Sequence, residues 1–154
     1  MNLFSYRIAD VLCFLPALSG SAWAGAHPNF SGTWKLNAAE SEYPNNNVPT
    51  KLIRVVQQDG SELRFTVERE LNGKTDNADY DLTIRESIPA GDPESNIWAH
   101  WKGDIAVVTM IAANGVRQTE SWKLSEDGRK IVDMTVVRRT DGSEVTIRRV
   151  FDKQ

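Results

Sequence analysis

Two oppositely charged residues, Glu120 and Arg149, stand on β-prone segments among apolar neighbours, in S-W-K-L and V-T-I-R-R-V-F contexts. An acid and a base on the inner face of a sheet are costly unless paired, hydrated or bound to a ligand. An arginine can hold a carboxylate or phosphate through two parallel hydrogen bonds. A desolvated glutamate can move protons for a small isomerase or cyclase. Gln118 and Tyr80 could add an amide and a hydroxyl to the same space. Other chemistries have little to stand on. The chain has two histidines, His27 and His100, and one cysteine, Cys13, so a three-ligand His/Cys zinc centre cannot be assembled after leader removal. H-E-x-x-H, nucleophile-elbow and phosphate-loop motifs do not occur. Asp76, Asp79 and Asp81 lack the spacing of a calcium loop. No metal and no cofactor is expected.

Hairpin arithmetic places these residues. Turn dipeptides punctuate the chain at Asp59-Gly60, Asn72-Gly73, Gly103-Asp104, Asn114-Gly115, Asp127-Gly128 and Asp141-Gly142. Each supplies the positive φ that tight hairpins need. They bound strands expected at 30–36, 51–58, 62–69, 75–84, 96–102, 105–111, 116–124, 129–138 and 144–152. No crossover helix fits between them. Residues 38–50 and 85–95 are proline-bearing loops, the first with one helical turn near Ala38–Ser41. The fold class is therefore all-β, an antiparallel up-and-down meander of about 8–10 strands. Closing it into a barrel protects its edges, and a two-sheet sandwich is the alternative.

Two-residue turns at 114–115 and 141–142, with a three-residue loop at 126–128, set Trp122 opposite Val107 and Val132. They set Glu120 opposite Met134, and Met134 opposite Arg149. One inner face then gathers Ile105, Val107, Ile111, Trp122, Leu124, Val132, Met134, Val136, Val145, Ile147 and Phe151. Gln118, Glu120 and Arg149 share that face, the last two flanking Met134 with their backbones two strand spacings, or about 10 Å, apart. The expected ligand-binding set is Arg149, Glu120, Gln118, Tyr80, Trp122 and Met134. Leu63, Phe65 and Val67, and Tyr80, Leu82 and Ile84, form further inward rows. On 96–102, a two-residue Gly103-Asp104 turn would put Trp98 and His100 inside and a three-residue loop would put Trp101 inside; the apolar row Ile97, Ala99 and Trp101 favours the second, with His100 outside.

The start of the chain reads as a leader. Arg7 precedes an apolar stretch, Ile8–Leu18, too short to span a bilayer, and Ala22-Trp23-Ala24 has the form of a cleavage site. Residues 1–24 are expected to be a signal peptide and 25–154 the domain, secreted or periplasmic, with no membrane span after cleavage. The mature chain would lack cysteine altogether. Without Arg7 and Asp10, the 18 basic and 21 acidic residues become 17 and 20, a balance unlike that of a general nucleic-acid binder. His27 falls in an N-terminal stretch expected to be mobile.

Asn29-Phe30-Ser31-Gly32-Thr33-Trp34-Lys35-Leu36 resembles the G-x-W motif on the first lipocalin strand. Trp101-Lys102-Gly103-Asp104, the segment Trp122 to Gly128 and the tail Val150 to Gln154 extend the resemblance to small exported bacterial lipocalin-like proteins. The other lipocalin signatures, including a T-D-Y motif, do not occur. The resemblance implies a barrel in which Trp34 packs across one end, with Arg148 or Arg149 over it. Fatty-acid-binding proteins also place an arginine on the last strand, which Arg149 resembles. The expected function is an exported binding protein holding a small hydrophobic or amphipathic ligand. A cofactor-free isomerase or cyclase using the same cavity, or a filled-core interaction module, are the alternatives.

Overall fold

The computed structural model describes residues 26–88 and 95–154. The expected signal peptide, and most of the second proline-bearing loop, lie outside them. Nine strands follow in order: β1 (Gly32–Leu36), β2 (Lys51–Asp59), β3 (Glu62–Leu71), β4 (Lys74–Arg85), β5 (Ile97–Lys102), β6 (Ile105–Ile111), β7 (Arg117–Leu124), β8 (Lys130–Arg138) and β9 (Glu144–Lys153). Each pairs with its neighbour in sequence, and β1 returns to β9, so the meander closes into a barrel. Two short 3-10 turns, Ala38–Glu40 and Pro44–Asn46, break the segment between β1 and β2. Every junction is antiparallel except one. β4 and β5 run parallel and pair only at Ile84–Ala99 and Arg85–His100.

Strand alternation turns one residue in two toward the axis. Leu63 and Phe65, Leu82 and Ile84, Ala99 and Trp101 fill the interior as their rows predict, joined by Leu52 and Val56 of β2. Ala99 and Trp101 are buried with no change to the two-residue Gly103-Asp104 turn, because β6 presents Ala106 and Val108 inward rather than Ile105 and Val107. His100 faces outward.

Three loops differ from the expected lengths. Ala112 bonds Val116 across a three-residue loop, Ser125 bonds Lys130 across four residues, and Arg139 bonds Ser143 across three. Each adds one residue, and a one-residue slip moves a whole strand to its other face. Ile105, Val107, Ile111, Val132, Met134 and Val136 therefore point outward, contrary to expectation. Trp122 stands between Ala106 and Asp133, and Glu120 between Val108 and Thr135. Because two slips cancel, β7 and β9 keep the faces assigned to them. Gln118, Glu120, Trp122 and Arg149 point inward.

One end of the barrel is plugged. Phe30 is fully buried, stacks on Trp101 and meets the edge of Trp122. Its carbonyl accepts a 2.8 Å hydrogen bond from the Trp34 indole N–H. Trp34 has the expected end-packing position, but Lys153 lies over its ring at 5.2 Å, not an arginine. Arg148 points outward, where its guanidinium donates to the Glu40 carbonyl. His27 is not loose: it stacks on Trp101 at 4.1 Å and bonds Glu86 and the Gly103 carbonyl. The plug depends on Gly32, whose φ of +142° is strained for any residue with a side chain, and whose Cβ would meet Lys153 Cε at 2.8 Å. Gly32→Ala is expected to cost about 1–3 kcal/mol, mostly backbone strain since the lysine tip can move; an unchanged denaturation midpoint would contradict this.

Candidate functional site

At mid-height the barrel holds four buried charges. Arg54 arrives from β2, where it takes its place in the inward row Leu52, Arg54, Val56, directly opposite Trp34. Glu120 comes from β7, Asp133 from β8 and Arg149 from β9, the last two paired across the ladder. Arg54 Nη2 lies 2.8 Å from Glu120 Oε2 and 3.3 Å from Asp133 Oδ2. Arg149 Nη2 lies 2.9 Å from Glu120 Oε1 and 2.8 Å from Asp133 Oδ2. Each cation thus meets both anions, so the charges balance. The Glu120 carboxylate also accepts from the Trp122 indole and the Gln118 amide, both at 2.8 Å. Thr135 donates to Asp133 Oδ1 at 3.1 Å and accepts from Arg149.

Apolar surroundings explain why the quartet holds together. The Arg54 guanidinium carbon lies 4.2 Å from the Trp122 ring centre, 4.9 Å from Phe151 and 5.9 Å from Phe65. Its Nε and Nη1 have no hydrogen-bond acceptor, and these ring faces are what they meet instead. Burial alone would raise the Glu120 carboxyl. The Arg149 and Arg54 guanidinium groups and the Trp122 N–H outweigh it and bring that carboxyl down to about 2. Asp133 goes the other way: burial first, then the neighbouring Glu120 charge, push its carboxyl up against the pull of Arg149.

The sign of the Glu120 shift sets a pH dependence. A carboxyl lowered in the fold from 4.5 to about 2 contributes stability above pH 4.5 and loses it as the pH falls toward 2. The amount is about 3 kcal/mol, with Asp133 opposing part of it. Urea midpoints measured across that window are expected to fall steadily; a flat profile would contradict an ionised, buried Glu120.

Above the quartet, away from the plug, lies a cavity of about 210 Å³. Leu52, Phe65, Val67, Ala78 and Met110 give it apolar walls, with Arg54, Glu120 and Arg149 at its floor and Tyr80 and Gln118 at its side. Arg69 and Asp76, joined at 2.7 Å, line it near the ends of β3 and β4. Tyr80 stacks on Phe65 at 4.6 Å, and burial raises its hydroxyl. From the segment between β1 and β2, Tyr43 brings a buried hydroxyl that has no hydrogen-bond partner and feels the charges of Arg149 and Asp133.

Four of the six expected ligand-binding residues, Arg149, Glu120, Gln118 and Tyr80, line one cavity. Trp122 lies beneath it, bonded to Glu120 and covered by Arg54. Met134 does not belong: it faces outward and is 39% exposed, and Asp133 occupies the inward place expected of it. Glu120 and Arg149 keep the expected backbone separation of two strand spacings, but β8 sets Asp133 and Thr135 rather than Met134 between them, and their side chains meet in a direct ion pair. Arg54, Asp133, Thr135 and Tyr43 are the residues that the hairpin arithmetic missed. A single arginine in the otherwise apolar row of β2 was the available signal for Arg54.

These features define a lipocalin-like β-barrel with one end closed by aromatic side chains and a small cavity set against a buried ion network. No family model and no curated protein matches the chain. Among solved structures it is similar to the apo form of Caenorhabditis elegans lipid binding protein 8. The identity is 17%, over 81% of this chain and 95% of that chain, with a TM-score of 0.49. What this barrel could hold follows from its own cavity and charges.

Proposed function

We propose that the protein is an exported binding protein for a small amphipathic molecule carried in the barrel cavity. The observation that supports this most is the cavity itself, with apolar walls from four strands and a polar floor. At about 210 Å³ it falls below the roughly 300–1,000 Å³ usual for drug-sized ligands. It suits a short chain, or the head end of a longer one. The balanced quartet bears on the head group. Arg149 already meets two carboxylates, so a ligand carboxylate would bring a third negative charge to two cations. A hydroxyl, amide or ester carbonyl can instead bond Tyr80 or Gln118 without upsetting that balance. Export rests on the leader-like residues 1–24 and on a remainder without cysteine.

Calorimetric titration with 1-decanol and with decanoate at neutral pH tests the reading. The alcohol is expected to bind at least about tenfold more tightly, a difference of about 1.4 kcal/mol. Preference for the acid, or no uptake of either, would overturn it. The isomerase alternative fares worse on geometry. Glu120 is ionised well below neutrality and already accepts from Arg54, Arg149, Trp122 and Gln118, which makes it a weak base.

A further inference from the structure

The charges on the outside of the barrel are segregated. On β5 to β8 the outward strand positions carry Lys102, Arg117, Lys123, Lys130 and Arg138 and no acidic residue. On β2 to β4 they carry Asp59, Glu62, Glu68, Glu70, Asp79 and Asp81 against only Lys51, Arg64 and Arg85. The basic side is also the one where the strand slips left apolar side chains outside. Ile111, Val136 and Trp98 are half-buried there, and Met134 is exposed.

The densest part lies at the ends of β6, β7 and β8, over the strands that carry Met110 and Gln118 on their inner side. Arg117 stands directly opposite Arg138 on one side and Ile111 on the other. Like charges facing each other across a ladder are unfavourable by themselves. Arg138 has Glu144 as a partner, whereas Arg117 has no acidic partner among the described residues and lies over the Trp98 ring at 5.8 Å. Two arginines this close make a site for phosphate oxygens. A tryptophan and aliphatic side chains beside them suit the boundary between headgroups and acyl chains.

We propose that this face, centred on Arg117, Arg138 and Trp98, docks the barrel on an anionic phospholipid surface with the acidic β2–β4 face turned away. The contact is peripheral, and it rests on the outer surface alone, independently of what the cavity holds. The segregation of charge lets a chain of net charge −3 approach a negative membrane.

Sedimentation of the protein with lipid vesicles tests it. Vesicles of phosphatidylcholine containing about 40% phosphatidylglycerol are expected to bind, with association falling as salt rises. Vesicles of phosphatidylcholine alone are expected to bind far less. Arg117→Ala with Arg138→Ala should weaken association about thirtyfold, and inorganic phosphate should release the wild type no more than sodium chloride does at equal ionic strength. Arg64→Ala with Arg85→Ala, on the opposite side, should change little. Thermal melts verify that the variants fold, and 1-decanol titration of the Arg117/Arg138 variant should match wild type, which keeps this result separate from the cavity. No association with the acidic vesicles would overturn the proposal. So would equal weakening by the control pair, or release by free phosphate beyond that of sodium chloride at equal ionic strength.

Discussion

Arg54→Met is expected to destabilise the barrel by about 3–5 kcal/mol, lowering the melting temperature by roughly 10–20 °C for a domain of this size. Arg54 is 2% exposed and touches both Glu120 and Asp133. Its removal leaves two buried carboxylates sharing Arg149, in a site that water reaches poorly. Methionine fills much of the same volume between Trp122, Phe65 and Phe151, so the loss reports charge more than packing. A second substitution makes the test specific. In Arg54→Met with Asp133→Leu, one arginine and one carboxylate remain, and the charges balance again. The double variant is expected to be more stable than either single variant, because replacing a buried pair by apolar groups is often neutral. Additive losses would show that the four side chains do not act as one network.

The second large effect concerns the cavity. Ala78→Phe puts a ring into the space bounded by Val67, Met110 and Tyr80 without touching the quartet. It is expected to reduce 1-decanol binding by at least about thirtyfold, while the melting temperature holds or rises slightly as empty volume is filled. Binding that persists in this variant would place the ligand elsewhere on the protein. A variant that loses binding and stability together would be uninformative, so Ala78→Leu, a smaller addition, is measured beside it and should show an intermediate loss with an unchanged melt.

Much of this architecture is legible in the residues. The turn dipeptides locate nine strands, and the G-x-W start locates the plugged end through Trp34. What fails is the count of loop residues. β6 is apolar on both faces, and on β8 the outward row Val132, Met134, Val136 is more apolar than the inward row Ile131, Asp133, Thr135, so a slipped register looks as plausible as the true one or better. The outward burial of Val107 and the exposed Met134 are consequences of tertiary context that no periodicity reports. Asp133 escapes notice for the same reason, since a buried aspartate in I-V-D-M-T-V reads as a solvent-facing residue until Arg149 is set beside it. Arg54 escapes because its partners lie 66 and 79 residues away in sequence. Glu120 and Arg149 are found because β7 and β9 keep their faces through two cancelling slips. The pair is right in identity, face and strand spacing; what was missed is Asp133 in the place given to Met134.

The central claim is that this barrel carries a small amphipathic molecule above its buried charges. Native mass spectrometry of the protein isolated from its own cells, followed by organic extraction, tests it most directly. The expected result is one small molecule per chain with a neutral polar head, absent from Ala78→Phe prepared in the same way. A bare polypeptide mass, with no uptake from a panel of neutral and acidic short-chain amphiphiles, would contradict it.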